Sequence, residues 1–375
     1  MVRRLLLLAL LPSALWAAPP RRKVIIDQDA FGPGGSNLQA ILMVIEAPNV
    51  DVLGITIESG DGWQKENVAH TLRMLELIGK SDIPVVPGAT FPLVNSEEET
   101  RRWERLYGKL PYKGAWMESW PSYSTVKRAP HHSPWFVPPL AEGEPHLKAS
   151  RETAADFLIR MTEQYPGEVS ILAMGPFTNL ALAQRLDPGF AARAKDLVFM
   201  GGSLNPQQAK EDEFSMQFIH NPRVEFNVRW DPEAAKIMLH ASWKGIVMVP
   251  LDATTDTLFT PELLAEVASK ETPVGRYLSK YAEPGYPMWD EVASAVWLDP
   301  SIVRHSDKLS IDVDIDHGAN YGATLSWPVN SGPGLGEPVV SVVRRVDVKR
   351  LERAFVHMVE TATESPAASP SVATP

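Results

Sequence analysis

Apolar and polar positions follow two different periods along the chain. Short apolar runs of the kind that form buried strands occur at 24–26, 52–58, 84–86, 169–174, 197–200 and 246–250. Between them, apolar residues recur every three to four positions, which predicts amphipathic helices at 64–80, 151–163, 178–186 and 231–240. This alternation of strands and helices predicts an α/β fold, an open and mostly parallel sheet with helices on both faces.

Two segments of the chain break this pattern. Residues 95–149 are rich in Pro, Trp and Tyr and show little periodicity, so we predict a loop insertion that acts as a lid or binding loop. The many aromatic residues disfavour disorder there. Residues 363–375, rich in Ser, Pro and Ala, predict a disordered tail. The predicted catalytic domain therefore runs from 22 to 362.

The first residues have the layout of a secretory signal peptide. Arg3 and Arg4 precede an apolar run at 5–11, and small residues follow before a Pro-Pro-Arg-Arg stretch. We predict a signal peptide at 1–18 and an exported protein, periplasmic or secreted. The apolar run is shorter than the ~20 residues of a membrane span, so we expect no stable membrane insertion after processing.

The composition limits the size of the core, the class of ligand and the side-chain chemistry that the protein can have. With 375 residues and 44% hydrophobic content, the chain can bury one large core. A net charge of −10 argues against a nucleic-acid partner and favours a small uncharged or cation-assisted ligand. The absence of cysteine excludes disulfides and thiolate chemistry.

The strand at 24–26 delivers two acids into a glycine-rich turn. Asp27 and Asp29 lie two residues apart, so both project from one face of the strand. They follow its carboxyl end, where open α/β sheets bind ligands. Taken alone, this pattern predicts an ion site or an acid/base site. It also fits a phosphohydrolase with Asp27 as nucleophile, which would release phosphate from esters with Mg²⁺.

Later segments favour a different chemistry. In this order, the segments 172–183, 197–202, 225–235 and 289–300 resemble the nucleoside hydrolase (inosine-uridine-preferring) family, and the resemblance extends from about residue 23 to 361. It implies an open α/β sheet with one Ca²⁺ at the carboxyl ends of the strands, hydrolysis of the N-glycosidic bond of a small-molecule ribonucleoside, and a homo-oligomer (dimer or tetramer). A hard cation held by oxygen ligands can orient a water and ribose hydroxyls together.

The resemblance also assigns metal ligands. Asp29 matches the metal-ligating general base, Asp290 the remote metal acid, and Met174 the donor of a backbone carbonyl. Where the family has two adjacent acids, this chain has Ser36 and Asn37. Asn37 could offer an amide oxygen to Ca²⁺ and Ser36 a weak hydrogen bond to ribose, but the loss of a carboxylate should weaken Ca²⁺ binding. Alternatively, the Ser-Asn pair only caps the next helix.

Further residues are assigned to the sugar. Glu225 and Asn227 match residues that bind the ribose hydroxyls, and their spacing would place them on one face of a strand. Asp61 stands where the family has an Asn that contacts the sugar. Another ribose-binding Asn of the family aligns with Ile219, and Asn221 could replace it through a shifted loop.

The base-binding side departs from many members of the family. Trp289 stands where they have a His that protonates the leaving base, and it resembles the purine-preferring branch, in which the base lies between aromatic rings. An indole would favour a protonated purine. We therefore predict a purine preference, with Trp116 or Trp120 as the second wall. Three histidines remain alternative acids: His70, His220 and His317.

Two alternatives share this fold. The altered Ser36-Asn37 pair is compatible with a secreted riboside-binding protein that performs no chemistry. An intermediate case is a hydrolase of a modified N- or O-riboside, since the altered turn would contact the sugar.

Overall fold

A computed structural model describes residues 21–110, 112–119, 131–204 and 223–363. The predicted signal peptide, residues 364–375 of the predicted tail, Trp120, His220 and Asn221 lie outside the described residues. Within the described part of the chain, no helix is both long enough and apolar enough to cross a membrane.

The described strands form one nine-stranded sheet in the order β3-β2-β1-β4-β5-β6-β9-β7-β8. They are β1 (Arg22–Gln28), β2 (Val50–Ile57), β3 (Val85–Pro87), β4 (Val169–Ala173), β5 (Asp196–Met200), β6 (Ile246–Val249), β7 (Val303–Val313), β8 (Thr324–Pro328) and β9 (Val339–Val346). Neighbours from β3 through β9 pair in parallel, whereas β7 pairs antiparallel with both β9 and β8. The predicted open and mostly parallel sheet is confirmed, and each predicted strand is present.

The described helices lie between these strands and after the last one. They are α1 (Ser36–Ile45), α2 (Gln64–Leu77), α3 (Glu97–Tyr107), α4 (Ala154–Gln164), α5 (Thr178–Leu186), α6 (Phe190–Arg193), α7 (Phe226–Trp230), α8 (Pro232–Leu239), α9 (Leu251–Thr254), α10 (Pro261–Ala268), α11 (Pro273–Tyr281), α12 (Trp289–Leu298) and α13 (Val348–Thr361). The four helices predicted from periodicity correspond to α2, α4, α5 and α8.

Alternate residues of β1 belong to two different cores. Val24 and Ile26 pack in a cluster that includes α1, α2, α12 and α13, and Ile25 packs in a second cluster with α4, α5 and α8. All three side chains are fully buried. Burial of one large aliphatic side chain contributes about 1.5–3 kcal/mol. Helices on both faces therefore explain why this strand is apolar at consecutive positions, as buried parallel strands are.

We predicted a loop insertion at 95–149, but this segment is not a loop throughout. It contains α3 and a short 3₁₀ helix, Gly114–Trp116. The Ser96 hydroxyl accepts a hydrogen bond from the peptide N–H of Glu99, and three glutamates occupy the first turn of α3. This Ser-x-x-Glu pattern is a helix-start signal that the sequence analysis missed, because Trp103 and two polar residues are the buried members of α3 and apolar periodicity is weak.

Several contacts fasten the insertion to the domain. The Asn95 amide donates to the carbonyl oxygens of Arg229 and Trp230, at 3.1 and 3.0 Å. The Trp103 indole donates to the Gly318 carbonyl oxygen at 2.8 Å. The described parts of the insertion are thus hydrogen-bonded to the rest of the domain, beside the carboxyl edge of the sheet.

Candidate active site

Parallel pairing brings the loops after β1, β2 and β4 to one place. The peptide N–H of Glu58 donates to the Gln28 carbonyl at 3.0 Å, and that of Met174 donates to the Asp27 carbonyl at 2.8 Å. Asp29 and Met174 directly follow β1 and β4, and Asp61 lies in the loop after β2. The carboxyl edge of the sheet therefore gathers residues that the sequence analysis assigned to the site.

Asp29 lies on this edge, directly after β1, and is fully buried. Its Oδ2 accepts from the peptide N–H of Asp61 at 2.7 Å, and its Oδ1 accepts from the Asn37 amide at 3.1 Å. A side chain at Gly60 would place its Cβ 2.1 Å from Asp29 Oδ2, so the close approach of this loop requires glycine. Burial first, and then the charges of Asp61 and Asp290, raise the pKa of Asp29 well above its ordinary value.

Helix α12 brings Asp290 to the same place. Asp290 lies in the first turn of α12 and is buried; its Oδ2 accepts from the Gln28 amide at 2.9 Å and from the Asn37 amide at 3.3 Å. Burial, followed by repulsion from Asp61, raises the pKa of Asp290 well above its ordinary value. The structure thus brings Asp29, Asn37 and Asp290 together.

Ser36 points to a partner that the sequence analysis did not consider. Its hydroxyl donates to Glu291 Oε2 at 2.6 Å, and both side chains are buried. Burial raises the pKa of Glu291 well above its ordinary value. Neither Gln28 nor Glu291 was predicted as a site residue. The only signal in the sequence is that each lies next to an assigned acid. The assignment of Ser36 to ribose stays a prediction.

Glu225 and Asn227 do not lie on a strand, contrary to the prediction from their spacing. Val224 forms an isolated bridge with Ala323, and Glu225 caps the short helix α7. Glu225 accepts from the peptide N–H groups of Asn227 and Gly202, both at 2.8 Å. The capping geometry takes precedence because a carboxylate can satisfy the free N–H groups of a helix start. Burial raises the pKa of Glu225 to about 7.

The side chain of Asn227 nevertheless reaches the strand edge. Its amide donates to the carbonyl oxygen of Met174 at 3.1 Å and to that of Met200 at 3.2 Å. The loops after β4 and β5 therefore meet α7 at the point where the carbonyl of Met174 is assigned to a metal. The residues assigned to metal and sugar adjoin one another.

The insertion contributes Tyr112 to this edge. Its hydroxyl donates to Asp61 Oδ1 at 2.6 Å, and its ring meets the Phe226 ring edge to face at 4.9 Å. Trp116, which we predicted as a base-stacking wall, is buried and stacks on Trp230 at 3.9 Å. Trp116 therefore packs inside the protein instead of facing a base. Tyr112 was not predicted as a site residue, because one tyrosine among many aromatic residues carries no distinctive signal.

Trp289 begins α12 and is partly buried. Its ring lies parallel to the Tyr286 ring, with centroids 6.3 Å apart and an interplanar angle of 10°. Of the alternative acids, His70 is buried against Glu142 and Glu66, and the exposed His317 lies beside Glu99 and Glu233. These contacts give both histidines structural partners.

The donor chemistry of this edge is compatible with a hard cation. Among residues 21–110, 112–119, 131–204 and 223–363, no three Asp, Glu or His side chains cluster in the manner of a metal site. Carboxylates alone therefore do not form a cage. Asp29 and Asp290 balance the charge of one Ca²⁺, and the amide oxygen of Asn37 and the carbonyl of Met174 are oxygen ligands of the type that Ca²⁺ accepts.

Fold and site together define an α/β enzyme with a buried carboxylate centre at the carboxyl edge of its sheet. The sequence profile of the inosine-uridine preferring nucleoside hydrolases matches residues 24–353, and the chain belongs to this family. The family assignment made from sequence is confirmed. The enzyme is an N-ribohydrolase, which cleaves the N-glycosidic bond of small-molecule ribonucleosides.

Relatives differ in the base that their names specify. Uridine nucleosidase 1 of Arabidopsis thaliana is 32% identical over 247 residues, which cover 66% of this chain and 61% of that protein. The pyrimidine-specific ribonucleoside hydrolase RihB of Escherichia coli O1:K1 / APEC is 24% identical, with 84% of this chain and 92% of that protein covered. The solved purine-preferring ribonucleoside hydrolase from Gardnerella vaginalis is 21% identical, with a TM-score of 0.69 and coverage of 92% and 99%, and it supports the fold alone.

Proposed function

We propose that this enzyme hydrolyses ribonucleosides with Ca²⁺, prefers purine bases, and acts outside the cytoplasm. One observation carries the catalytic part: the buried Asp29 shares the Asn37 amide with Asp290, and Glu225 and Asn227 adjoin them through Met174. In this proposal, one edge of the sheet holds four cation ligands, one of which is also the base, and two sugar ligands.

In the proposed reaction, Asp29 accepts a proton from a water whose oxygen attacks the anomeric carbon. The N-glycosidic bond breaks, its electron pair goes to the base nitrogen, and the base takes a proton from solvent. Asp29 suits this role because the Asp61 peptide N–H and the Asn37 amide fix its carboxylate at the edge where the water would lie. Ca²⁺, held by Asp29, Asp290, Asn37 and Met174, would lower the pKa of the water and orient it.

The sugar would be bound by Glu225 and Asn227. Glu225 is held rigidly by peptide N–H groups on both carboxylate oxygens, so it cannot turn away from the site at low cost. Hydrogen bonds to ribose hydroxyls strengthen as the sugar approaches an oxocarbenium ion, and they therefore lower the barrier. Asp61 accepts a hydrogen bond from the Tyr112 hydroxyl and would contact the same sugar.

Trp289 supports the purine preference. The Tyr286 ring lies parallel to this indole, and an aromatic face can stack on a flat base. A purine offers a larger face than a pyrimidine, so stacking on Trp289 should favour inosine, adenosine and guanosine.

Export is supported by the basic and apolar pattern of residues 1–18. Mass spectrometry of the protein purified from its native host should find a mature chain that begins near residue 18 or 19. A homo-oligomer, dimer or tetramer, is the expectation from the family, and light scattering of the purified protein would determine it.

A nucleoside panel tests the function. Purified enzyme is assayed with inosine, adenosine, guanosine and uridine, with Ca²⁺ and with chelator, and both free base and free ribose are measured. We expect equal release of both products, faster with purines and lost in chelator. Asp29→Asn is the matched control, and a panel without any release with Ca²⁺ would refute the proposal.

Hydrolysis of a modified riboside is the second candidate. It is favoured by the contact of the Ser36 hydroxyl with Glu291, which directs a residue assigned to ribose towards protein. Turnover of a sugar-modified riboside at a higher kcat/KM than every member of the panel would support this candidate over the first.

A further inference from the structure

Two buried amide side chains connect the proposed base to the remote acid. Gln28 accepts from the peptide N–H of Asp29 at 2.8 Å and donates to Asp290 Oδ2 at 2.9 Å. The Asn37 amide lies 3.1 Å from Asp29 Oδ1, 3.3 Å from Asp290 Oδ2 and 3.3 Å from Gln28 Oε1. We call Gln28 and Asn37 the amide bridge.

The amide bridge reduces the repulsion between the two buried acids, which a bound cation would otherwise offset. Asp29 and Asp290 are like-charged when ionised, and both are buried, so their repulsion is poorly screened. The amide N–H groups of Gln28 and Asn37 direct their positive ends at these carboxylates. Hydrogen bonds to a carboxylate are stronger than those between neutral groups, so several of them offset part of the repulsion.

We propose that Gln28 and Asn37 hold Asp29 and Asp290 in their working positions without a cation, so that Ca²⁺ must displace the Asn37 N–H group from both acids before the Asn37 amide oxygen can bind the ion. Gln28 is a positioning residue in this arrangement, since it acts through the two acids. The inference rests on the proposed function only in its assignment of Ca²⁺ to this site. It follows that the fold tolerates removal of Ca²⁺ and that Asn37 weakens binding relative to an acid.

Substitution of the bridge separates these effects. Asn37→Asp replaces a donor by a third negative charge, so the acids would then need a cation to remain together. Gln28→Met keeps the approximate length of the side chain and removes all three amide contacts of Gln28. Gln164→Glu, at an exposed position of α4, adds one negative charge away from the site and serves as the matched control.

The experiment compares thermal unfolding in chelator and in Ca²⁺, together with calorimetric titration of Ca²⁺ alone. We expect the wild type and Gln164→Glu to change their unfolding midpoint by less than about 2 °C between the two conditions, because weak binding adds little stability. Asn37→Asp should unfold at a lower temperature in chelator, recover in Ca²⁺, and bind Ca²⁺ at least about tenfold more tightly than the wild type.

Gln28→Met provides the second variant. It should lose stability in chelator and regain part of it in Ca²⁺. Equal Ca²⁺ affinity of the wild type and Asn37→Asp, or an equal effect of chelator on the wild type and Gln28→Met, would overturn the proposal. No readout uses turnover, so an enzyme that binds Ca²⁺ as expected but cleaves no nucleoside would refute the function and leave this inference standing.

Discussion

Acidic side chains lie in two regions that stabilise them in opposite ways. At the active-site edge, Asp29 and Asp290 accept hydrogen bonds from amide and peptide N–H groups, and burial raises the pKa of both. At the antiparallel end of the sheet, Asp312 on β7 accepts from Lys236 and His240. Burial alone would raise the pKa of Asp312, but hydrogen bonds from Lys236, from the peptide N–H of Val313 and from His240 lower it below its ordinary value.

These partners determine whether an acid is available to a ligand or is already paired with a charged group of the protein. A carboxylate paired with Lys236 keeps its charge and its partner whether or not a ligand is present. A buried carboxylate that contacts only neutral donors is destabilised when ionised, and it gains from a cation or a proton. The active-site edge is therefore suited to chemistry, and the antiparallel end is suited to stability.

The largest expected effect is that of Asp29→Asn. Loss of the proton acceptor should lower kcat by about 10²–10⁴-fold, the usual contribution of a general base. Steady-state release of base from inosine measures it. Asp307→Asn, at a partly exposed position of the antiparallel end, is the control and should retain activity. Comparable losses in both variants would remove the functional distinction between the regions.

Trp289→Ala tests the base-binding side of the active-site edge. Loss of stacking on a base costs about 1–3 kcal/mol, so kcat/KM for inosine should fall by roughly 5–150-fold. The fall for uridine should be smaller, because its ring has a smaller face. An equal loss for both nucleosides would indicate that Trp289 only packs against Tyr286.

Asp312→Asn tests the antiparallel end. Removal of the charge that Lys236 and His240 contact should cost about 1–2 kcal/mol of unfolding free energy at pH 7 and leave activity unchanged. Because the folded-state pKa of Asp312 is lowered, its contribution is complete above the unfolded value of about 3.9 and is lost as the pH falls through the folded value. Denaturant unfolding should therefore show a difference between wild type and variant that shrinks below about pH 4. A difference that grows there would contradict the assignment.

The smallest expected effect is that of Tyr112→Phe, which removes only the hydroxyl that Asp61 accepts. One such hydrogen bond contributes about 0.5–1.5 kcal/mol, so KM for nucleosides should rise by roughly 2–12-fold with little change in kcat. Tyr107→Phe, an exposed tyrosine of α3, is the matched control. A pure loss of kcat would place Tyr112 in the chemical step instead of sugar binding.

Much of the fold could be predicted because strand and helix periods are local properties of the sequence. The apolar run of Val24, Ile25 and Ile26, which are fully buried, predicted β1, and the three-to-four spacing predicted α2. The prediction failed at Glu225 and Asn227, where a spacing of two suits a strand but the carboxylate caps α7 instead. It also failed at 95–149, because a mainly polar helix leaves no apolar period.

The sequence by itself determined the strands β1 to β6, four of the helices, the acids at the end of β1, and the family to which those motifs belong. Only the tertiary structure decided which groups those acids contact. Gln28 meets Asp290 across 262 residues of chain, and Ser36 meets Glu291 across 255. Such partners follow from the packing of α12 beside α1 and β1, which no local pattern encodes. The physical reason is that hydrogen bonds form between neighbours in space, whereas propensity and periodicity act between neighbours in sequence.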